Sequence, residues 1–344
     1  MFKYSVFAWC MMLWVAASAQ TNPAIRIGQR TFRFQDAGRN RPVVTEVWYP
    51  TSDTLTADDT QRSPFVRDYT VRNGKLPAEK LPLLMLSHGT GGGRLTLEWL
   101  AQVLVKGGFI VAAVDHWGNT YDNKIPVEFV KTWERPLDIS FALSALLEDG
   151  DFTKVIDPQR IGAIGFSLGG YTVMALAGGR INYPELIQYY KTTGRKEVET
   201  PELPGLARFL NDTTLLTAMK HTPGLKDNRI KAIFAIAPAL GAGFTQKSQL
   251  SSITCPVYIV GMHNDQLAPV LHNARHYHQL IPHSFYYEFS GAAGHYVALA
   301  EASNELQTAV PDIFADPATV NRHQIHGKIS RLAATFFKRF LNKP

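Results

Sequence analysis

Ser167 is the residue around which chemistry can be organised. It stands in Gly165-Phe166-Ser167-Leu168-Gly169-Gly170, directly after the apolar run 161–164 and directly before a helical segment. This is G-x-S-x-G in a strand–turn–helix setting, where a sharp turn lifts the serine hydroxyl clear of the sheet. Glycine is needed on both sides because strand and helix pass too close for side chains. A serine nucleophile that attacks a carbonyl also needs two N–H groups aimed at the oxygen that becomes an oxyanion. One is expected from Leu168, the residue after the serine. The other is expected from Ser87-His88-Gly89-Thr90-Gly91-Gly92-Gly93, which follows the apolar run 83–86. Thr90 is the preferred donor and Gly91 the near alternative. A phosphate-binding loop does not fit this second cluster: Arg94 occupies the place of the last glycine in G-x-G-x-x-G, and no G-K-[ST] follows.

The serine proton needs a base, and the base needs a carboxylate to orient it. In chain order, serine, acid and histidine are supplied by Ser167, Asp265 and His295. Asp265 lies just past the apolar run 257–260, and His295 ends the small-residue loop Ser290-Gly291-Ala292-Ala293-Gly294. The strand before it, ending at Ala237, is followed by Pro238 and by no nearby carboxylate. His88, Gly91, His116 and Trp117 are the expected substrate-side residues, His88 chiefly by shaping the glycine loop. His272 and His276 are four apart on an expected helix but lack the glutamate of H-E-x-x-H, so they are expected at the surface. No metal site and no organic cofactor is expected.

Elements that could position these residues alternate along the chain. Residues 30–35 and 43–49 alternate polar and apolar around Asp36-Ala37-Gly38-Arg39-Asn40, as an antiparallel hairpin does. Residues 50–80 form a polar, Pro-containing connection. Short apolar runs at 83–86, 109–114, 161–166, 230–237, 257–260 and 284–289 have the texture of strands covered on both faces. Helical spacing appears at 95–106, 135–147, 168–177 and 326–341. The alternation predicts an α/β fold: a mostly parallel sheet with helices on both faces and the hairpin at one edge. Residues 180–228 break the rhythm with two helical pieces, 184–191 and 206–220, and are expected to cap the sheet's C-terminal edge, where open α/β sheets bind ligands.

The chain has 344 residues, 45% of them apolar, and a net charge of +6. Its basic residues are scattered without a run of five or six, which argues against a nucleic-acid partner. No apolar run beyond the N-terminus reaches the ~20 residues of a membrane span. Residues 1–19 are expected to be a cleavable secretory leader: Lys3, an apolar stretch, then Ala17-Ser18-Ala19. A secreted or periplasmic location in a bacterium follows, with residues 20–344 as one domain and Cys255 as its only cysteine.

With these residues in place the chain resembles the α/β-hydrolases. More narrowly it resembles the dienelactone hydrolase-like group, akin to the platelet-activating-factor acetylhydrolase and cutinase-like polyester-hydrolase branches. The pieces that carry the likeness are Val47-Trp48-Tyr49-Pro50, Leu86-Ser87-His88-Gly89, Asp115-His116-Trp117-Gly118-Asn119, the Ser167 motif and the Asp265 and His295 loops. The resemblance implies an exported serine hydrolase cleaving small or polymeric carboxylic esters through an acyl-enzyme, with amide cleavage the nearest alternative. Two departures stand out. Dienelactone hydrolases have a cysteine nucleophile where this chain has Ser167, and the acetylhydrolases place the acid after the strand that here precedes Pro238.

Overall fold

The computed structural model describes residues 25–342; the leader expected at 1–19 lies outside them. Strands β1 (Arg26–Asp36) and β2 (Arg41–Thr51) form the antiparallel hairpin, with Arg30 opposite Val47. The connection after it contributes a two-residue strand, β3 (Val71–Arg72), which pairs parallel to β1. Then come β4 (Leu81–Ser87), α1 (Glu98–Lys106), β5 (Ile110–Val114), α2 (Glu134–Glu148), β6 (Ile156–Phe166) and α3 (Leu168–Ala177). After an inserted cap follow β7 (Ile230–Ile236), β8 (Val257–Met262), α7 (Ala274–Leu280) and β9 (Phe285–Phe289). The chain closes with α8 (Asn304–Ala309), α9 (Pro311–Phe314) and α10 (Arg322–Leu341).

The strands make one sheet in the order β3-β1-β2-β5-β4-β6-β7-β8-β9, parallel from β5 through β9. Strand side chains alternate between faces, so the unbroken apolar runs fill two cores at once. Leu83 and Met85 of β4 pack with α2 and α3, on Leu143, Tyr171 and Met174. Leu84 and Leu86 pack with α1 and α10, on Leu100, Leu104 and Phe337. Strand order reverses at β4, which has β5 on one side and β6 on the other. The loops after β4 and β6 therefore flank the crevice where open α/β sheets take ligands.

The cap comprises α4 (Tyr183–Lys191), α5 (Arg195–Val198), a 3-10 turn (Leu206–Asn211) and α6 (Thr213–Lys220). The single helix expected over 206–220 is thus two pieces. Asp212 is extended (φ −72°, ψ 109°) and its carboxylate accepts the Leu215 N–H at 3.0 Å. An aspartate that caps the next turn competes with helix continuation. The buried apolar side chains of the cap pack on residues 129–133: Val198 and Leu206 join Phe129, and Tyr183 and Leu215 join Trp133. The expected helix through His272 and His276 also starts later. His272 lies in the turn before α7, and the His276 ring bonds the Phe244 carbonyl. Among the described residues no group of three or more metal-ligating side chains converges, and no helix is long and apolar enough to cross a membrane.

Candidate active site

Ser167 occupies the turn between β6 and α3 at φ 55°, ψ −119°, a conformation costly for a residue with a side chain. The turn is held by the Ser167 N–H on the Ile236 carbonyl at 2.9 Å and the Ala239 N–H on the Ser167 carbonyl at 3.0 Å. Gly165 and Gly169 make it possible. A Cβ on Gly165 would overlap the Gly169 carbonyl, and one on Gly169 would overlap the Ser87 carbonyl. Helix α3 thereby sits close on β4, and the Leu168 N–H is left at a helix N-terminus, where it has no intrahelical acceptor.

His295 opens a 3-10 turn (His295–Ala298) after β9. That turn is pinned from below: Trp99 of α1 donates to the Ala298 carbonyl at 3.1 Å, and His326 of α10 bonds the Val297 carbonyl at 2.8 Å. The Trp99 and His326 rings stack at 3.7 Å, and burial lowers the His326 pKa to about 4, so it stays neutral. His295 Nε2 lies 2.8 Å from Ser167 Oγ, and its Nδ1 lies 2.6 Å from Asp265 Oδ2. The other carboxylate oxygen accepts the N–H groups of Leu267 and Ala268 at 2.9 and 2.7 Å. With Nδ1–H donated to the carboxylate, Nε2 is left to accept the serine hydroxyl. Ser167, His295 and Asp265 are 8%, 7% and 3% exposed, so the relay is shielded while the serine still reaches open space.

Burial opposes charge on His295, but the Asp265 carboxylate and, behind it, Glu202 outweigh it and hold the imidazole above its ordinary pKa. Glu202 was not singled out from the sequence. It lies in the polar stretch of the cap, where neither periodicity nor a motif marks it. In the structure its Oε1 accepts the Tyr296 hydroxyl at 2.7 Å, and Lys124 bonds its backbone carbonyl at 2.8 Å. Glu202→Gln keeps an oxygen for Tyr296 and removes the charge, so the acid limb of kcat/KM should move to lower pH. A pH–rate profile of the two proteins checks this, since the limb reports the base of the free enzyme.

The glycine loop distinguishes its two candidate donors. The Gly91 N–H is engaged by Asn119 Oδ1 at 2.9 Å, whereas neither Thr90 nor Leu168 donates its N–H to another described residue. Beneath the loop lies a second chain of the same residue types: Ser87 Oγ to His116 Nε2 at 2.9 Å, and His116 Nδ1 to Asp138 Oδ2 at 3.0 Å. All three side chains are fully buried. Burial, with Arg135 and Arg41 nearby, holds His116 well below its usual pKa. His88 is buried too; its Nε2 accepts the His116 N–H at 3.2 Å and its Nδ1 bonds the Gly89 carbonyl at 2.6 Å. Arg135, lowered by burial to about 9, donates to the His88 carbonyl. His88 and His116 were expected beside substrate, and this corrects that expectation: both are sealed under the loop. Trp117 is corrected as well, because its ring lies against the Arg41 guanidinium, 5.5 Å away, outside both cavities that meet at Ser167. Gly91 does line one of them.

With this geometry in hand, comparison with known proteins separates fold from activity. No family model matches the chain, and no curated protein matches it in sequence. Among solved structures it is similar to a ferulic acid esterase from Streptomyces cinnamoneus, with a TM-score of 0.60 and 18% identity over 95% of each chain. The chain has the α/β-hydrolase fold. In an α/β-hydrolase the C-terminal edge of the parallel strands carries the reacting groups, and here the β4, β6, β8 and β9 loops bring Thr90, Ser167, Asp265 and His295 to that edge. At this identity the likeness extends to the fold alone, so the chemistry rests on the residues themselves.

Proposed function

We propose that the protein is a serine hydrolase of carboxylic esters. The observation that carries this is the continuous relay from Asp265 through His295 to Ser167, set beside two unengaged backbone N–H groups. Ser167 Oγ attacks the ester carbonyl carbon while His295 Nε2 takes its proton. Asp265 keeps the imidazole in the accepting tautomer and stabilises its cation. The Thr90 and Leu168 amides hold the carbonyl oxygen as it becomes an oxyanion. His295 then hands the proton to the departing alkoxide, the C–O bond breaks, and the acyl group remains on Ser167. Water, activated by the same imidazole, releases the acid. Every proton in this sequence is moved by the chain's own side chains.

The structural neighbour is named as an esterase, which agrees with this proposal. A fluorophosphonate probe should form an adduct at Ser167, and an ester should turn over faster than its matched amide. Faster amide turnover would reassign the enzyme as an amidase. No adduct and no turnover on folded protein would refute the proposal.

A further inference from the structure

Two separate cavities open from Ser167, and their linings share only Thr90, Ser167, Glu202 and His295. Three of these four are the proposed nucleophile, base and oxyanion donor; the fourth is the carboxylate behind His295. The reacting atoms are thus the point where two otherwise independent spaces meet, and Glu202 stands between those spaces.

The first cavity lies under the cap and is walled by Phe129, Tyr183, Leu186, Leu206, Phe209 and Leu215. None of its lining residues is exposed. The second lies on the other side of Ser167, under a lid formed by two distant segments. Residues 63–67 pair with the chain before α8: Phe65 bridges Ala302, Val66 donates to the Glu301 carbonyl at 2.8 Å, and Ser303 donates to the Pro64 carbonyl at 2.7 Å. The Phe65 and Phe314 rings meet at 5.6 Å. This cavity is also apolar, yet its rim is open: Val66 is 59% and Tyr121 67% exposed, with Phe65 and Leu95 beside them. Four of the large apolar side chains that face solvent therefore ring the mouth of one cavity. Scattered exposed apolar residues need no explanation, but a rim of them around a cleft marks a binding site.

We infer that the substrate is an ester with two sizeable apolar halves, its acid half seated in the cavity under the cap and its alcohol half in the open-rimmed cavity beneath Phe65 and Phe314. This rests on the ester-hydrolase proposal and deepens it. The order of bond changes decides which half goes where. When the C–O bond breaks and His295 protonates the alkoxide, the alcohol must leave before water can reach the imidazole. The acyl group meanwhile stays bonded to Ser167. An alcohol in the cap cavity would have to leave between side chains none of which is exposed, whereas one in the other cavity departs past the exposed Val66 and Tyr121. The Glu202 carboxylate at the junction also disfavours a carboxylate on either half close to the ester bond.

Filling each cavity separately tests this. Ile313→Trp and Leu95→Trp reduce the open cavity; Leu95 is at the exposed rim, so at least one of the two is expected to fold. Met219→Trp reduces the cap cavity from a partly buried position on α6. The probes are methyl and naphthylmethyl esters of acetic and 3-phenylpropanoic acids. The open-cavity variants should lower the naphthylmethyl-to-methyl ratio of kcat/KM at least tenfold, and Met219→Trp should lower the phenylpropanoate-to-acetate ratio similarly; small steric changes in such pockets are worth roughly 10- to 200-fold. Met219→Trp should also slow deacylation, the step after the alcohol has gone, and the open-cavity variants should act on acylation. Exchanged dependences, or ratios that follow neither half, would overturn the inference while leaving ester hydrolysis standing. Failure of the wild-type protein to hydrolyse any of the four esters, with no Ser167 adduct, would remove both.

Discussion

Replacing Ser167 by alanine is expected to lower kcat for ester hydrolysis by about 10^4- to 10^6-fold while leaving the fold intact, as loss of a relay nucleophile does elsewhere. The effect should be this large because nothing near Ser167 substitutes for it. Ser87, which also bonds a histidine close by, is fully buried against His116 and lines neither cavity that meets Ser167. Alanine also tolerates the turn no worse than serine, since the positive φ at 167 strains any residue with a Cβ. A thermal melt close to wild type, with hydrolysis reduced to the remnant that the Thr90 and Leu168 amides sustain alone, is the expected pair of results. Turnover within tenfold of wild type would place the nucleophile elsewhere.

Ser87 also explains how much of the site could be found without coordinates. The same residue types, within hydrogen-bonding distance of one another, occur twice: Ser167–His295–Asp265 and Ser87–His116–Asp138. Local sequence distinguishes the two serines, because only Ser167 has glycines on both sides where strand and helix nearly touch. It placed His88 and His116 beside substrate because they follow strands at the functional edge as His295 does. Their burial comes from α2, whose Arg135 donates to the His88 carbonyl and whose Asp138 bonds the His116 ring, which is a tertiary fact with no local signature. The central strands were legible for a related reason: β4, β5 and β7 are covered on both faces, so their apolar runs are almost uninterrupted. The cap was legible only as a break in rhythm, because its small helices bury one side chain or two apiece against residues 129–133. The lid over the second cavity was not anticipated. It is made by residues 63–67 meeting residues 301–303, more than two hundred positions apart in the chain, through backbone hydrogen bonds that any residue types could form.

The second large effect belongs to Asp265. Asp265→Asn is expected to lower kcat about 10^4-fold at neutral pH, the cost measured elsewhere for a base held in the wrong tautomer. The hydrogen bonds determine which way the amide must face. Leu267 and Ala268 both donate N–H groups to Oδ1, so the asparagine oxygen must occupy that place or leave two donors unsatisfied. Its NH2 group is then directed at His295 Nδ1. A donor facing Nδ1 makes that nitrogen the acceptor and puts the proton on Nε2, the atom that must receive the Ser167 hydroxyl. The relay would remain assembled, with bond lengths little altered, and be unable to start. The same substitution removes the carboxylate that most raises the His295 pKa, so what activity remains should have its acid limb at lower pH than wild type. Measuring kcat and its pH profile for Asp265→Asn, with a melt to confirm folding, decides the matter. A loss of less than tenfold would mean that another carboxylate orients the base, and Glu202, already facing His295 from the cap, would be the residue to replace next.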